Sequence, residues 1–175
     1  GGRERAEPEG PVNPPASIRR AWERVKAAGE AEVALREEFD PSLPPVLANE
    51  GALVQVLINL IGNARDATAG AGCPEIVIRT RFLCGFVTSV VRQDRPVKLP
   101  IEVTVSDNGP GVDPALGEQI FEPFVTSKKN GQGLGLALVR KLLSDMDGRI
   151  AHDRDQAAGW THFRVHLPMA RWEDR

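Results

Sequence analysis

The sequence predicts an α+β fold, a two-layer α/β sandwich in which helices cover one face of a mixed β-sheet. Apolar residues recur at helical spacing between positions 53 and 67. They alternate with polar residues at positions 101–105 and 163–167, which is typical of strands with one buried face. With 175 residues, the chain suits one domain that buries roughly two-thirds of its unfolded surface.

The composition argues against several classes of protein. A net charge of −2 leaves no basic excess for nucleic acid. The longest apolar stretch, at positions 52–61, contains Gln55 and Asn59 and is too short to span a bilayer. Three histidines and two cysteines without a CxxC pair do not indicate a zinc site. We interpret Cys73 and Cys84 as reduced structural thiols of a cytoplasmic protein.

The N-terminal segment is rich in glycine, proline and charged residues, so residues 1–11 are expected to be a disordered linker or tag remnant. The folded domain is expected at residues 12–170, with a short tail at 171–175. A helix is predicted at residues 16–28, with Gly29 as its stop. A strand follows at residues 33–39.

The strongest predicted helix covers residues 53–67 and is followed by a strand at 75–81. Residues 82–100 leave two interpretations open, a hairpin with a second strand at 87–91 or a mobile insertion. The remaining predicted elements are a strand at 101–105, a short helix at 114–121, a helix at 134–146, and strands at 149–153 and 161–167.

Three polar residues share one stripe of the long helix, because Asn59, Asn63 and Asp66 follow an i, i+4, i+7 spacing. Asparagine is disfavoured inside helices, since its side chain competes for backbone hydrogen bonds. Two asparagines that point the same way therefore indicate a polar cleft wall. A carboxamide oxygen also suits Mg²⁺, which keeps several waters and takes phosphate oxygens as further ligands. A solvated helix face is the alternative.

Asp107 directly follows a predicted strand and precedes Asn108, Gly109, Pro110 and Gly111. Asn-Gly and Pro-Gly are both turn signals, so an ordinary turn is one interpretation. In the other, the ionised carboxylate accepts a hydrogen bond from the exocyclic amine of adenine and repels a guanine carbonyl. The two glycines then let the backbone lie flat against the base.

A run of alternating glycines, Gly131, Gly133 and Gly135, opens the helix that begins near Leu134. The N–H groups that open a helix lack internal partners and carry the positive end of its dipole, so the run is a candidate triphosphate cradle. A P-loop would need Lys-Ser or Lys-Thr after a glycine, and a Rossmann fingerprint would need a strand immediately before the glycines. Neither pattern is present.

A polar, cationic stretch with Lys128 and Lys129 separates that run from Phe121-Glu122-Pro123-Phe124. One interpretation is a lid anchored at Phe121 and Phe124, in which Lys128 or Lys129 reaches phosphate oxygens. In the alternative, the aromatic residues pin a loop onto the core and the lysines serve only solubility.

In this order, the asparagine box, Asp-x-Gly-x-Gly, Phe-Glu-Pro-Phe and Gly-x-Gly-Leu-Gly-Leu resemble the ATP-binding catalytic domain of bacterial sensor histidine kinases. That family belongs to the gyrase–Hsp90–kinase–MutL superfamily, and the resemblance covers residues 12–168. It implies a Bergerat-type ATP-binding fold and protein-histidine kinase activity. Residues 40–46, 121–126 and 133–139 are similar to the nitrogen-regulation branch of the family, as is the insertion before Ile101.

The resemblance implies a role for most of the motif residues. Asn63 would coordinate the Mg²⁺ that bridges the ATP phosphates, Asp107 would bind the adenine amine, and Thr161 would support the adenine through water. The roles of Arg65 and Asp66 stay open. The full set of implied nucleotide-binding positions is Asn63, Asp107, Gly109, Gly111, Lys128, Gly131, Gly133, Leu134, Gly135 and Thr161.

The resemblance implies catalytic roles for two residues, Asn59 and Asn63. Members of the superfamily that hydrolyse ATP commonly have glutamate at position 59 as general base, whereas Asn59 cannot take a proton. Slow attack by water suits an enzyme that keeps the γ-phosphoryl group for a protein acceptor.

The implied acceptor is a histidine on a helical dimerisation hairpin, and His152, His162 and His166 lack the surroundings of such a residue. The resemblance therefore implies an excised catalytic domain whose partners are its own or a partner's histidine-containing dimerisation domain, a response regulator and a nitrogen-signal regulatory protein. No nucleic acid or membrane is expected as partner. A nucleotide-gated interaction module without transfer activity and a hydrolysing ATPase of the same superfamily are the alternatives.

Overall fold

The computed structural model describes residues 9–29, 33–84, 87–125 and 135–171. The elements in these ranges, in chain order, are β1 (Gly10–Val12), α1 (Pro14–Ala28), β2 (Ala34–Glu38), β3 (Val46–Ala48), α2 (Glu50–Thr68), β4 (Glu75–Phe82), β5 (Ser89–Arg92), β6 (Arg95–Lys98), β7 (Ile101–Asp107), a 3₁₀ helix (Gly117–Phe121), α3 (Gly135–Asp145), β8 (Arg149–Asp155) and β9 (Trp160–Leu167). The predicted helices and main strands are thus confirmed, with ends that differ by a few residues.

The main sheet contains five strands in the order β2-β4-β7-β9-β8. β2 runs parallel to β4, and every other pair of neighbours is antiparallel, so the sheet is mixed. α2 packs on β4 and β7, α3 packs on β8, and α1 packs on α2. The apolar side chains of the helices and the inward side of the sheet share one core. The predicted α+β sandwich is therefore confirmed.

The long helix α2 occupies the centre of the helical layer. It begins earlier than predicted because Asn49 caps it, with the Ala52 N–H donating to Asn49 Oδ1 at 2.8 Å. Leu57 and Leu60 are 1 % exposed and Ile61 is fully buried, as the apolar ladder predicts. The polar stripe with Asn59 and Asn63 lies beside this apolar stripe, and both asparagines are half-buried.

The N-terminal boundary differs from the expectation that a linker extends to residue 11. β1 begins at Gly10 and pairs with β3, so that Pro11 lies opposite Leu47. We therefore propose that the folded domain begins at Gly10. Residues 1–8 and 172–175 lie outside the described residues.

Residues 82–100 contain the hairpin, the first of the two interpretations left open. β5 and β6 pair with each other in a two-stranded sheet of their own. Gln93 and Asp94 connect them with φ of 51° and 60°, which suits the tight turns that match the twist of a hairpin. The Arg92 guanidinium contacts the Asp147 carboxylate at 2.6 Å and ties the hairpin to the end of α3.

The expectation that residues 101–105 have one buried face is wrong, because β7 is buried on both faces. As the central strand, it is covered on its polar side by side chains of its neighbours. His166 Nε2 lies 3.0 Å from Glu102, and His162 Nδ1 lies 2.6 Å from Ser106 Oγ. The hydrogen bond from His166 lowers the pKa of Glu102, so this buried carboxylate stays ionised.

Arg65 gains a structural role that the sequence left open. Its Nη1 donates to the Val25 carbonyl at 2.7 Å, near the C-terminal end of α1. The guanidinium also occupies the space beside Gly29 that a β-carbon would fill. A cation at a helix C-terminus is favourable because the last carbonyl groups have no partner within the helix.

We expect Arg65→Met to lower the free energy of unfolding by about 1–2 kcal/mol, because a charge-assisted bond to a helix end is lost. Urea denaturation measures this change. Arg24→Met is the control, since Arg24 is an exposed arginine on α1. Equal effects of the two substitutions would contradict the capping role.

Candidate nucleotide-binding site

The polar stripe of α2 is tied at one end to α3. The Asn59 side chain accepts a hydrogen bond from Gln55 Nε2 at 2.8 Å and donates from Nδ2 to the Gly135 carbonyl at 3.1 Å. Gly135 is the first described residue of α3 and the last glycine of the predicted phosphate run. Asn59 therefore holds the start of α3 against the stripe, a structural bond that the sequence did not indicate.

At the other end, the stripe meets the segment that starts at the last residue of β7, which we call the base loop (residues 107–111). A β-carbon on Gly109 would lie 2.5 Å from the Ala67 carbonyl oxygen and 2.8 Å from its carbon. Such distances are far below van der Waals contact, so backbone packs directly on backbone here. Only glycine allows the base loop to come this close to α2.

Asn63 lies between these two contacts, one helical turn from Asn59 and one from Ala67. It is half-buried, whereas Asp66 is exposed and contacts Arg65 at 3.7 Å. The structure thus places the asparagine stripe between the start of α3 and the base loop, and it turns Asp66 towards solvent. All three polar residues lie within α2 at the predicted spacing, and Asp66 is the most exposed of them.

Asp107 ends β7 and is only 3 % exposed, although it carries a carboxyl group. The Gly109 N–H donates to Asp107 Oδ1 at 2.9 Å. Burial raises the pKa of Asp107 to about 6, while the Gly109 hydrogen bond and the charge of Arg154 act in the opposite direction. At neutral pH the group is therefore an ionised acceptor with capacity for a further donor.

Thr161 lies directly beside Asp107 across the β7–β9 ladder and is 2 % exposed. Its Oγ1 accepts a hydrogen bond from Arg154 at 2.9 Å. Gly111 has a φ of 83°, and a β-carbon there would lie 3.0 Å from Thr161 Oγ1. The base loop, Asp107 and Thr161, which the sequence placed in one site, are thus neighbours in the fold.

Arg154 is a further residue of the candidate site, and no sequence motif indicates it. The predicted strand ended at residue 153, whereas β8 continues to Asp155. Every second residue of β8, namely Ile150, His152 and Arg154, lies on the side that faces the helices. An arginine in this alternation, on the inward side of a strand, is the sequence feature that could have indicated a role for Arg154.

Much of the predicted phosphate cradle lies outside the described residues. This holds for Gly131, Gly133 and Leu134 and for both lysines of the predicted lid, Lys128 and Lys129. Their roles stay predictions.

The two aromatic residues of the predicted lid anchor differ in environment. Phe121 is buried, and its ring packs edge-on against His152 and Phe163, with centroids 5.8 and 6.4 Å apart. Phe124 is 77 % exposed and has a φ of 67°. The expectation that Phe124 anchors the lid is therefore wrong, since the turn carries its ring away from the core. His152 stacks on Phe163, with ring centroids 5.8 Å apart.

An open cleft lies beside α3, on the side of the 3₁₀ helix, and shares only Gly135 with the predicted site residues. Its walls include Phe121, Pro123, Ala137 and Leu138. The lining also includes Arg140, Lys141 and Ser144, although most of its surface is apolar. Neither Asn63 nor Asp107 lines this cleft, so it is separate from the candidate base pocket.

The described residues fit Mg²⁺ only as part of a nucleotide complex. They contain no group of three or more His, Cys, Asp or Glu side chains placed to hold a metal ion. Mg²⁺ does not need such a cage, because it keeps waters and binds through one or two protein oxygens and substrate phosphates. The carboxamide of Asn63, between the start of α3 and the base loop, suits that mode of binding.

Comparison with known proteins agrees with the fold. The family described as histidine kinase-, DNA gyrase B-, and HSP90-like ATPase matches residues 48–171. The chain is 42% identical over 161 residues to the sensory histidine kinase/phosphatase NtrB of Rhizobium meliloti (strain 1021). The aligned region covers 90% of this chain and 42% of that protein. The chain thus spans less than half the length of this curated relative. The resemblance to the nitrogen-regulation branch is confirmed at the level of sequence.

Solved structures show the same architecture. The nucleotide-free catalytic domain of histidine kinase ThkA has a TM-score of 0.69 and 27% identity, over 92% of this chain and 95% of that chain. Full-length ShkA in complex with AMPPNP has a TM-score of 0.72 and 27% identity, over 97% of this chain and 32% of that chain. No helix within the described ranges has both the length and the apolarity needed to cross a membrane. The chain belongs to the histidine kinase-, DNA gyrase B-, and HSP90-like ATPase family, as an ATP-binding catalytic domain of the histidine kinase type.

Proposed function

We propose that this domain binds Mg-ATP between α2 and the base loop and supplies the γ-phosphoryl group to a histidine on a separate dimerisation hairpin. In the whole protein, a cytoplasmic sensor kinase of the nitrogen-regulation type, the phosphoryl group then passes to an aspartate of a response regulator. A nitrogen-signal regulatory protein sets the balance of this activity.

One observation carries the proposal. α2 is fixed at Asn59 to the start of α3 and at Ala67 to Gly109 of the base loop. Asn63 lies midway between these contacts, so a nucleotide with its base at Asp107 has its phosphates directed towards α3. The proposed path runs along the stripe for two helical turns, about 11 Å, which is long enough for a nucleoside triphosphate.

Each described group has a defined task in this proposal. Asp107 accepts the exocyclic amine of adenine, Gly109 and Gly111 bring backbone against the base, and Thr161 supports it through water. The start of α3 offers N–H groups to the phosphates. Asn63 holds Mg²⁺, which neutralises phosphate charge when bound.

Asn59 supports the choice of a kinase over a hydrolase. It has no basic group, and both polar atoms of its side chain already make hydrogen bonds, to Gln55 and Gly135. It is therefore unsuited to activate water. The nucleotide analogue AMPPNP bound to ShkA supports nucleotide binding by the shared architecture.

A transfer assay tests the proposed reaction. The domain is mixed with a histidine-containing dimerisation hairpin from a kinase of the nitrogen-regulation type and ATP labelled at the γ-phosphate. We expect acid-labile label on the hairpin and little free phosphate. An unlabelled hairpin with intact nucleotide binding would instead favour the interaction module, and rapid steady release of phosphate by the domain alone would favour the hydrolysing ATPase.

We expect Asn63→Ala to abolish the part of ATP affinity that depends on Mg²⁺, because the carboxamide ligand is lost. Calorimetric titration with and without Mg²⁺ measures this part, and urea denaturation checks that the domain remains folded. Asn13→Ala is the matched control, since Asn13 is exposed and makes no capping hydrogen bond with its side chain. Unchanged affinity of Asn63→Ala would remove this residue from the metal site.

We expect Asp107→Asn to weaken the preference for ATP over GTP, because an amide can donate to the guanine carbonyl as well as accept. In the unsubstituted protein, ATP affinity should fall about tenfold between pH 7 and pH 5, since the pKa of Asp107 is about 6 and a protonated carboxyl is a poorer acceptor.

The Asp107→Asn variant also serves as the control for pH. It cannot titrate at this position, so its own pH dependence reports the protonation of the nucleotide phosphates. Equal pH profiles, or equal discrimination between ATP and GTP, in the two proteins would exclude Asp107 from the base pocket.

A further inference from the structure

Arg154 occupies the end of a row of residues that crosses the sheet. Asp107, Thr161 and Arg154 are direct neighbours on β7, β9 and β8, and Ile76 of β4 continues the row on the other side. All four side chains point to the helical layer. Thr161 lies on the strand next to Asp107, and Arg154 lies one strand further away. The long side chain of Arg154 can therefore reach the base loop.

The Arg154 guanidinium joins two separate parts of the site. Its Nη1 donates to the Gly109 carbonyl at 2.6 Å and to Thr161 Oγ1 at 2.9 Å. The first bond holds the base loop and the second holds the strand beside it. A single nitrogen thus fixes the distance between Gly109 and Thr161, the two sides of the proposed base pocket.

A second nitrogen of the same side chain lacks a protein partner. Arg154 Nε is buried and makes no hydrogen bond among the described residues. It lies 3.4 Å from the position that a β-carbon on Gly111 would take, so it faces the base loop. Buried donors are nearly always paired, and a water or ligand atom in the base pocket would complete this one.

The positive charge of Arg154 also acts on Asp107. Burial raises the pKa of Asp107, and the Gly109 hydrogen bond and Arg154 oppose that rise. The neighbours of Asp107 within the sheet, Ile76 and Thr161, are not ionisable. On the side of α2, Ala67 meets the base loop, and the carboxylate of Asp66 is half-exposed.

We propose that Arg154 is a positioning residue for the nucleotide base, which clamps the base loop to Thr161 and keeps Asp107 in the charged form that selects adenine. The inference rests on the proposed function, because it deepens the account of base selection at the same site. Arg154 acts through Asp107 and Gly109 and need not touch the base itself.

Affinities for Mg-ATP and Mg-GTP are measured by calorimetry from pH 5.5 to pH 8.5 for the unsubstituted protein, Arg154→Met and Arg154→Lys. We expect Arg154→Met to bind ATP on the order of tenfold more weakly at pH 7.5 and to lose part of its preference over GTP. The pH at which ATP affinity is half lost should rise by about one unit. Arg154→Lys should restore that midpoint because it keeps the charge.

The matched control is Arg149→Met, which removes the same charge from an exposed position on β8. We expect it to leave affinity, base preference and pH midpoint unchanged. A uniform loss of ATP and GTP affinity in Arg154→Met at every pH, without rescue by lysine, would mean a merely structural role and would overturn the proposal. An effect of Arg149→Met equal to that of Arg154→Met would overturn it as well.

Nuclear magnetic resonance titration of the Asp107 carboxyl carbon adds a readout that needs no nucleotide. The midpoint should be higher in Arg154→Met than in the unsubstituted protein, and an unmoved midpoint overturns the inference. If Arg154→Met does not fold, Arg154→Gln takes its place, since it also lacks the charge. Failure of the unsubstituted protein to bind Mg-ATP would reject the proposed function itself, whereas normal binding with unaltered variants rejects only the role of Arg154.

Discussion

The contact between Gly109 and Ala67 is the constraint on which the site depends. Backbone meets backbone at the end of α2, with no side chain between them. The Gly109 N–H in the same loop donates to Asp107 Oδ1 at 2.9 Å, and the carboxylate is 3 % exposed at the end of β7. A longer side chain at position 109 would push the loop away from the helix and let water reach the carboxylate. The position of the loop and the electrostatics of Asp107 therefore have one cause.

The burial of Asp107 has an electrostatic cost in the folded domain. Because the pKa of Asp107 in the folded domain, about 6, lies above its ordinary value of 3.8, the folded state favours the protonated form. The associated stability is fully present below about pH 4 and is lost as pH rises through 6. At neutral pH the domain thus holds a charged group in a poorly solvated place. In the proposed complex, a hydrogen bond donated by adenine offsets part of that cost, which links affinity to selectivity.

The sequence predicted the fold well where local patterns and burial agree, as in α2, β4 and β9. It predicted β7 with only one buried face. The structure buries the other face too, because side chains on neighbouring strands cover Glu102, Thr104 and Ser106. The sequence also assigned both phenylalanines to an anchor, whereas backbone geometry at Phe124 decides that only Phe121 reaches the core. Such features depend on neighbours distant in sequence or on a single dihedral angle. The spacing of apolar residues along the sequence gives no information about either.

The candidate site shows the same division. Local motifs indicate Asn63, Asp107 and Gly109 as candidates, and the family resemblance adds Thr161. The fold brings Asp107, Gly109 and Thr161 together beside α2. Asn59 was selected for its position, but its hydrogen bond to Gly135 follows only from the packing of α2 on α3. No local pattern indicates Arg154, because its partners lie on the base loop and β9.

The base loop also reaches Cys73, whose carbonyl accepts a hydrogen bond from the Asn108 side chain at 2.7 Å. Both cysteines are exposed thiols, and Cys73 precedes β4 by two residues whereas Cys84 follows it by two. Once Cys84 is replaced by serine, a fluorophore on Cys73 becomes a local optical sensor for events in the neighbouring loop.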